Sequence, residues 1–288
     1  MDLLFGIIPA IGWGILPVVL VKLGGSADEQ LLGTTIGNML LASILFVFVP
    51  IKGDVSVIIL CILSGLMWAV GQWGQYQGYA SISVSKAMPL SSGLQIVGNT
   101  FFGVVLFDEW GDNAKIMLGI SAVVIIIIGI LFSAGRSTQQ NESGSINRKS
   151  YISLILTTIG YWGYSVIPNF LSANETTVYS KYIFQAIGML LASSILSFHF
   201  SRVRGEQIYV KRIKKLTLGG LLFGIAAAAY VYSLQHNGLI VAFTLSQMNV
   251  VISSILGIFI LHENHANPKR LYVGLGCIVV GSVVLMLI

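Results

Sequence analysis

Amides, hydroxyls and aromatic rings recur in this sequence inside stretches that are otherwise apolar. Between residues 56 and 80, Trp68, Gln72, Gln75 and Tyr79 follow at spacings of four, three and four, one stripe on a 3.6-residue period, with Gly71 on the same face. Residues 84–107 continue with Ser92, Gln95, Asn99 and Gly103 on one face. Later stretches hold Tyr161 and Tyr164, then Gln185, then Ser246, Gln247, Asn249 and Ser253, while Pro9, Trp13 and Pro17 recur every fourth residue near the start. An amide left without a partner in hydrocarbon is costly, so these groups must face one another or a cavity. Neutral donors and acceptors beside flat rings suit an uncharged, polyhydroxylated ligand. Amides bond hydroxyl pairs, and an indole or phenol packs on the apolar C–H face of a sugar. An ionic ligand would require a buried counter-charge, and acids and bases are nearly absent from these stretches. For each residue alone, hydrogen bonding between helices is the competing reading. Amides set beside aromatics in both halves of the chain favour a ligand for the set.

Other reactive residues carry less. Glu109 and Glu263 end two apolar stretches, and each is a candidate proton-coupling group or a structural residue closing a turn. Asp28, Glu29 and His236 have weaker claims to the same role. His262 and His265 have metal-like spacing, but two ligands beside Pro268 and a basic cluster do not make a metal site. Cys61 and Cys277 each sit in an apolar run and form neither a disulfide framework nor a metal motif. The clustered acids or histidines of a membrane enzyme are not found, and no cofactor is expected.

The elements that must hold these stripes are membrane spans. Of 288 residues 55% are hydrophobic and 9% charged, with a mean hydropathy of +0.86. A chain this apolar could not cover its own surface in water, so lipid is its solvent. About 20 apolar residues cross a bilayer, which predicts ten helices over roughly 3–21, 31–51, 56–80, 84–107, 114–134, 151–171, 178–200, 214–234, 238–261 and 270–288, with a break at Ser81-Ile82-Ser83. Met1-Asp2 provides no basic leader, so the first run reads as a retained helix. The net charge of +5 gathers on no soluble domain, which argues against nucleic acid. It marks topology instead. Thirteen Lys and Arg fall in alternate loops, and the other side holds only Lys52, Lys115 and Lys181. Basic loops stay cytoplasmic, so both termini are expected outside.

The polar stretch 135–150 divides the chain into a first five-helix repeat at 1–134 and a second at 151–288, with a cytoplasmic linker between them. Gly65-Leu66-Met67-Trp68 matches Gly220-Leu221-Leu222-Phe223, and Gly103 to Glu109 matches Gly257 to Glu263. Gly119 pairs with Gly274, and Trp13-Gly14 then Pro17 with Trp162-Gly163 then Pro168. Five spans per half put the second half in the membrane upside down. The expected fold is therefore all-α, ten transmembrane helices as two inverted-topology repeats. In secondary carriers of this kind the site lies between the halves near the midplane, and alternating access follows.

Several motifs resemble the bacterial glucose uptake proteins of the glucose/ribose porter family, in the drug/metabolite transporter superfamily. They are Leu23-Gly24-Gly25 with Gln30 and Gly33-Thr34-Thr35, Ala87 to Gly98, Glu109-Trp110, Phe184-Gln185, Leu245-Ser246-Gln247, and Gly257 to Glu263. The resemblance runs over essentially the whole chain. It implies a ten-helix bacterial plasma-membrane carrier that imports glucose or a similar monosaccharide, with protons as the coupling ion. Gln30, Gln95, Gln185, Gln247, Glu109 and Glu263 match the pattern. His262 stands where the family often has Gly, and Asn249 where an aliphatic residue is common. The substrate set to test is Trp13, Trp68, Gln72, Gln75, Gln95, Asn99, Tyr161, Gln185, Gln247 and Asn249. The rival is an exporter or uniporter of another small metabolite on the same fold.

Overall fold

The computed structural model describes residues 2–107, 110–134, 144–171, 176–237, 239–263 and 267–288. Glu109 and His265 lie outside these described residues. Among them every regular element is helical: α1 (Asp2–Leu23), α2 (Ala27–Phe48), α3 (Val55–Ser81), α4 (Val84–Phe107), α5 (Asn113–Ala134), α6 (Gly144–Val166), a 3-10 turn (Ile167–Phe170), α7 (Val178–Arg204), α8 (Val210–Asn237), α9 (Leu239–Gln247), α10 (Asn249–Leu261) and α11 (Pro268–Leu287). Nine spans among the described residues are long and apolar enough to cross a bilayer, α9 and α10 counting together from Ala242 to Leu261. The tenth expected helix, α6, falls outside that set. Arg148 and Lys149 lie near its start, and Tyr161, Trp162, Tyr164 and Ser165 crowd its end. Large apolar side chains face outward, Phe48 at 78% exposure and Val47 at 75%, as lipid requires of a multi-pass membrane protein.

Three boundaries differ from expectation for local reasons. The second helix starts at Ala27, because Ser26 caps it: its Oγ accepts from Glu29 N at 3.3 Å and the Glu29 carboxylate accepts from Ser26 N at 2.9 Å. The sixth begins at Gly144, inside the stretch read as linker, and gives way at Ile167-Pro168 to the 3-10 turn. The ninth is not continuous. Met248 separates α9 from α10, and backbone bonds from Met248 N to Leu245 O and from Val251 N to Met248 O tighten the chain there by one residue. The expected break between α3 and α4 is found at Ile82-Ser83, where Ser83 takes a φ of 112°, seldom entered by a residue with a Cβ.

Packing crosses the midpoint of the chain. α8 lies against α1 and α2, α3 against α6 and α7, and α5 against α11, while α1 meets α10 and α4 meets α6. Glycine brings two of these crossings into close approach. A Cβ on Gly220 of α8 would collide with the Gly33 and Thr34 carbonyls of α2, and one on Gly65 of α3 with the Gln185 carbonyl of α7. Gly188 of α7 is shut in by the Ile62 carbonyl in the same way. Buried bonds add to these contacts: Tyr182 OH donates to Asn38 Oδ1 at 2.6 Å, and the Thr34 and Tyr76 hydroxyls meet at 2.9 Å. These residues hold helices together.

Candidate substrate-binding site

Between the halves lies a cavity of about 70 Å³, measured as the space open to the centre of a water molecule. One water needs about 10–15 Å³ on that measure. The helix period explains how α3 lines it: Trp68, Gln72, Gln75 and Tyr79 all reach the wall, joined by Tyr76. α4 adds Met88, Ser92 and Gln95, α6 adds Tyr161, Tyr164 and Ser165, and α1 adds Trp13 and Pro17. The remaining side comes from Phe223 and Tyr230 of α8 and from Ser246, Gln247 and Asn249 at the α9–α10 break. The break matters because it sets Gln247 and Asn249, two residues apart, on one cavity. No Asp, Glu, Lys or Arg is among the described lining residues.

One wall is a closed hydrogen-bond chain. Tyr161 OH shares its proton between Gln72 Oε1 and Gln75 Oε1, each at 2.9 Å, and Gln72 Nε2 donates to Gln75 Oε1 at 3.0 Å. Gln75 Nε2 and Gln95 Nε2 both donate to Ser91 Oγ, at 2.9 and 3.2 Å. Ser92 Oγ reaches Asn249 Oδ1 at 3.4 Å. Aromatic rings pack on each other around this chain: Trp13 stacks on Phe223 with centroids 5.8 Å apart, and Trp68 tilts against the same ring at 5.0 Å.

Two expected residues lie elsewhere. Gln185 does not line the cavity; its Nε2 donates to Ser64 Oγ at 2.8 Å, in the α3–α7 crossing. Asn99 lines a second, smaller space with Thr100, Phe107, Trp110 and Asn169, which shares Ser165 and Phe243 with the first. Its Nδ2 donates to Ser165 Oγ at 3.3 Å while Oδ1 has no partner. This space follows α4 toward its Phe107 end. Sequence reasoning passed over Tyr76, Met88, Phe223, Tyr230 and Phe243. Phe223 and Tyr230 stand seven apart, a helical spacing that an aromatic search along α8 would have caught.

At the other end of α4 the chain is latched. The Glu263 carboxylate accepts from Val84 N at 2.7 Å, from Ser85 N at 2.8 Å and from the Ser85 hydroxyl. An anion at a helix N-terminus meets unpaired N–H groups and the positive end of the dipole. The left-handed cap at His262, φ 53°, turns Glu263 back from α10 toward α4. Glycine would take that conformation without cost, whereas His262 takes it with a Cβ.

Comparison with known proteins gives a consistent result. A family model described as sugar transport protein matches residues 4–288. A Listeria monocytogenes protein, lmo0169, named for sugar uptake, is 35% identical over 97% of this chain and 96% of its own length. The glucose uptake protein GlcU of Bacillus subtilis is 32% identical over 97% of this chain and 95% of its own. RbsU of Latilactobacillus sakei, named for ribose uptake, is also 32% identical, over the same shares. A crystal structure 15% identical to this chain superposes with a TM-score of 0.63 over 98% of this chain and 95% of that one, a likeness of fold alone.

Proposed function

We propose that this chain, which belongs to the sugar transport protein family, imports glucose or a similar monosaccharide across the bacterial plasma membrane by alternating access, driven by protons. The observation that carries the reading is the uncharged cavity of amides, hydroxyls and rings where helices of both halves meet. A pyranose offers several hydroxyls and an apolar ring face, which that lining complements. Gln72, Gln75, Gln95, Gln247 and Asn249 bond hydroxyls, Trp68 and Tyr161 bound the ring, and Asn99 meets the sugar on its way in.

Two inverted repeats, 1–134 and 151–288, are supported by the exchange of partners in the packing. The α1–α8 contact answers α6–α3, and α2–α8 answers α7–α3. The same 155-residue offset relates Gly33 to Gly188 and Gly65 to Gly220, the glycines of those crossings. With both termini outside, the Phe107 end of α4 is outer, so Asn99 stands on the outer route while Glu263 closes the inner side. Glu263 at the inner side and Glu109 at the outer side are the candidates to carry the coupling proton.

The test is uptake of labelled glucose into proteoliposomes of purified protein, with and without an inward proton gradient. Accumulation above equilibrium that needs the gradient is expected. Equilibration alone would make this a uniporter and return Glu263 to structure. No flux of any monosaccharide would remove the sugar reading.

A further inference from the structure

The two sides of the cavity differ in how far their hydrogen bonds are already used. Tyr161, Gln72, Gln75, Ser91 and Gln95 are already bonded to one another. Elsewhere in the lining, Trp13 Nε1 on α1 and Gln247 Oε1 on α9 are buried with no partner. Both residues line the cavity, Gln247 is 4% exposed, and α1 packs against α9. Leaving a buried polar group unmet is costly, so a ligand that meets it recovers that cost. The Trp13 ring already lies on Phe223, with Tyr230 at 5.4 Å beside it. With the ring so occupied, the N–H is the one polar group of Trp13 left to bond a ligand.

We infer that Trp13 Nε1 and the Gln247 amide are the primary anchor for substrate, holding one hydroxyl or a vicinal hydroxyl pair, and that the self-bonded glutamine wall is a secondary, positioning contact. The inference rests on the sugar reading and refines it. A hydroxyl oxygen accepts from the indole N–H, and a hydroxyl proton is donated to Gln247 Oε1. Ethers and fluorinated carbons accept without donating, and they meet only half of the anchor.

The experiment measures proteoliposome uptake of glucose and its single-position deoxy analogues by wild type, Trp13→Phe and Gln247→Met. Trp13→Phe keeps a ring against Phe223, and Gln247→Met keeps the shape of the side chain. Each variant raises KM for glucose about tenfold, the worth of one hydrogen bond of about 1.4 kcal/mol, with the maximal rate within about twofold. One or two deoxy analogues suffer the same loss with wild type and no further loss with the variants. Variants that discriminate among the analogues as wild type does would overturn the anchor. So would a wild type indifferent to every deoxy position, a readout that needs no variant to fold. Wild type that takes up no monosaccharide would overturn the sugar reading itself, and the anchor with it.

Discussion

The starts of α2 and α7 are built on one plan with different chemistry. At α2, Ser26 caps the helix, and Glu29 three residues on accepts from Tyr209 N at 2.7 Å, in the α7–α8 connection. At α7, Thr177 caps the helix, and Ser180 three residues on accepts from Lys52 N at 3.0 Å, in the α2–α3 connection. Each start thus grips the backbone of a connection that includes the other half's chain. The α2 grip is charged: Arg212 lies 3.2 Å from Glu29, Asp28 pairs with Arg204, and Asp28 also accepts from Trp73 Nε1 at 3.0 Å. The α7 grip is made of hydroxyls, with Thr176 Oγ1 donating to Lys52 O at 2.8 Å. The difference follows the neighbours. The facing ends of α7 and α8 carry Arg204 and Arg212, which the carboxylates answer, whereas Ser180 and Thr176 meet the backbone of Lys52 in the α2–α3 connection. One geometry accepts whichever chemistry its neighbour supplies.

The sharpest break of that comparison is at the glycine crossings, where the two halves are alike and equal costs are expected. Gly33→Val drives a side chain into Leu216, and Gly188→Val drives one into the Ile62 carbonyl. Overpacking at sites this tight costs about 3 kcal/mol. Both variants lose folded yield on size exclusion in detergent; a large loss in only one would break the likeness of the halves. The two grips come next, and here the costs are unequal. Glu29→Ala strands Ser26 N and Tyr209 N and unpairs Arg212, for about 2–3 kcal/mol, whereas Ser180→Ala removes a neutral acceptor, for about 1 kcal/mol. Melting in detergent reads both. Equal losses would mean that charge adds nothing to the α2 grip.

Much of the fold was legible because lipid punishes polarity so strongly that apolar runs, charge alternation and amide stripes stand out. The α3 face from Trp68 to Tyr79 came through intact. The Ser26–Glu29 capping box was written in the sequence and passed over, since the second span was read from residue 31. The α9–α10 break left no trace, for neither glycine nor proline stands at Met248. Gln185 shares its residue type with Gln75 yet serves a helix crossing, because period fixes a face and not the neighbour that covers it. The Glu263 latch joins residues about 179 apart in sequence, and no local pattern announces such a pair.

The smallest effect expected lies at Asp54, beside the α7 grip, where the α2–α3 connection enters α3. Its carboxylate accepts from Val57 N at 2.9 Å and from the Ser56 hydroxyl at 2.7 Å. The Val57 N–H, then the Ser56 hydroxyl, hold its pKa below the usual carboxylate range. A depressed folded-state pKa gives stability that is whole above the unfolded value, near 4, and is lost as pH falls through the folded one. Asp54→Asn retains a capping side chain and removes the titration. Wild type should therefore melt slightly above Asp54→Asn at neutral pH, and the gap should close as pH falls below about 4. A gap that stays constant with pH would mean that Asp54 caps α3 by shape alone.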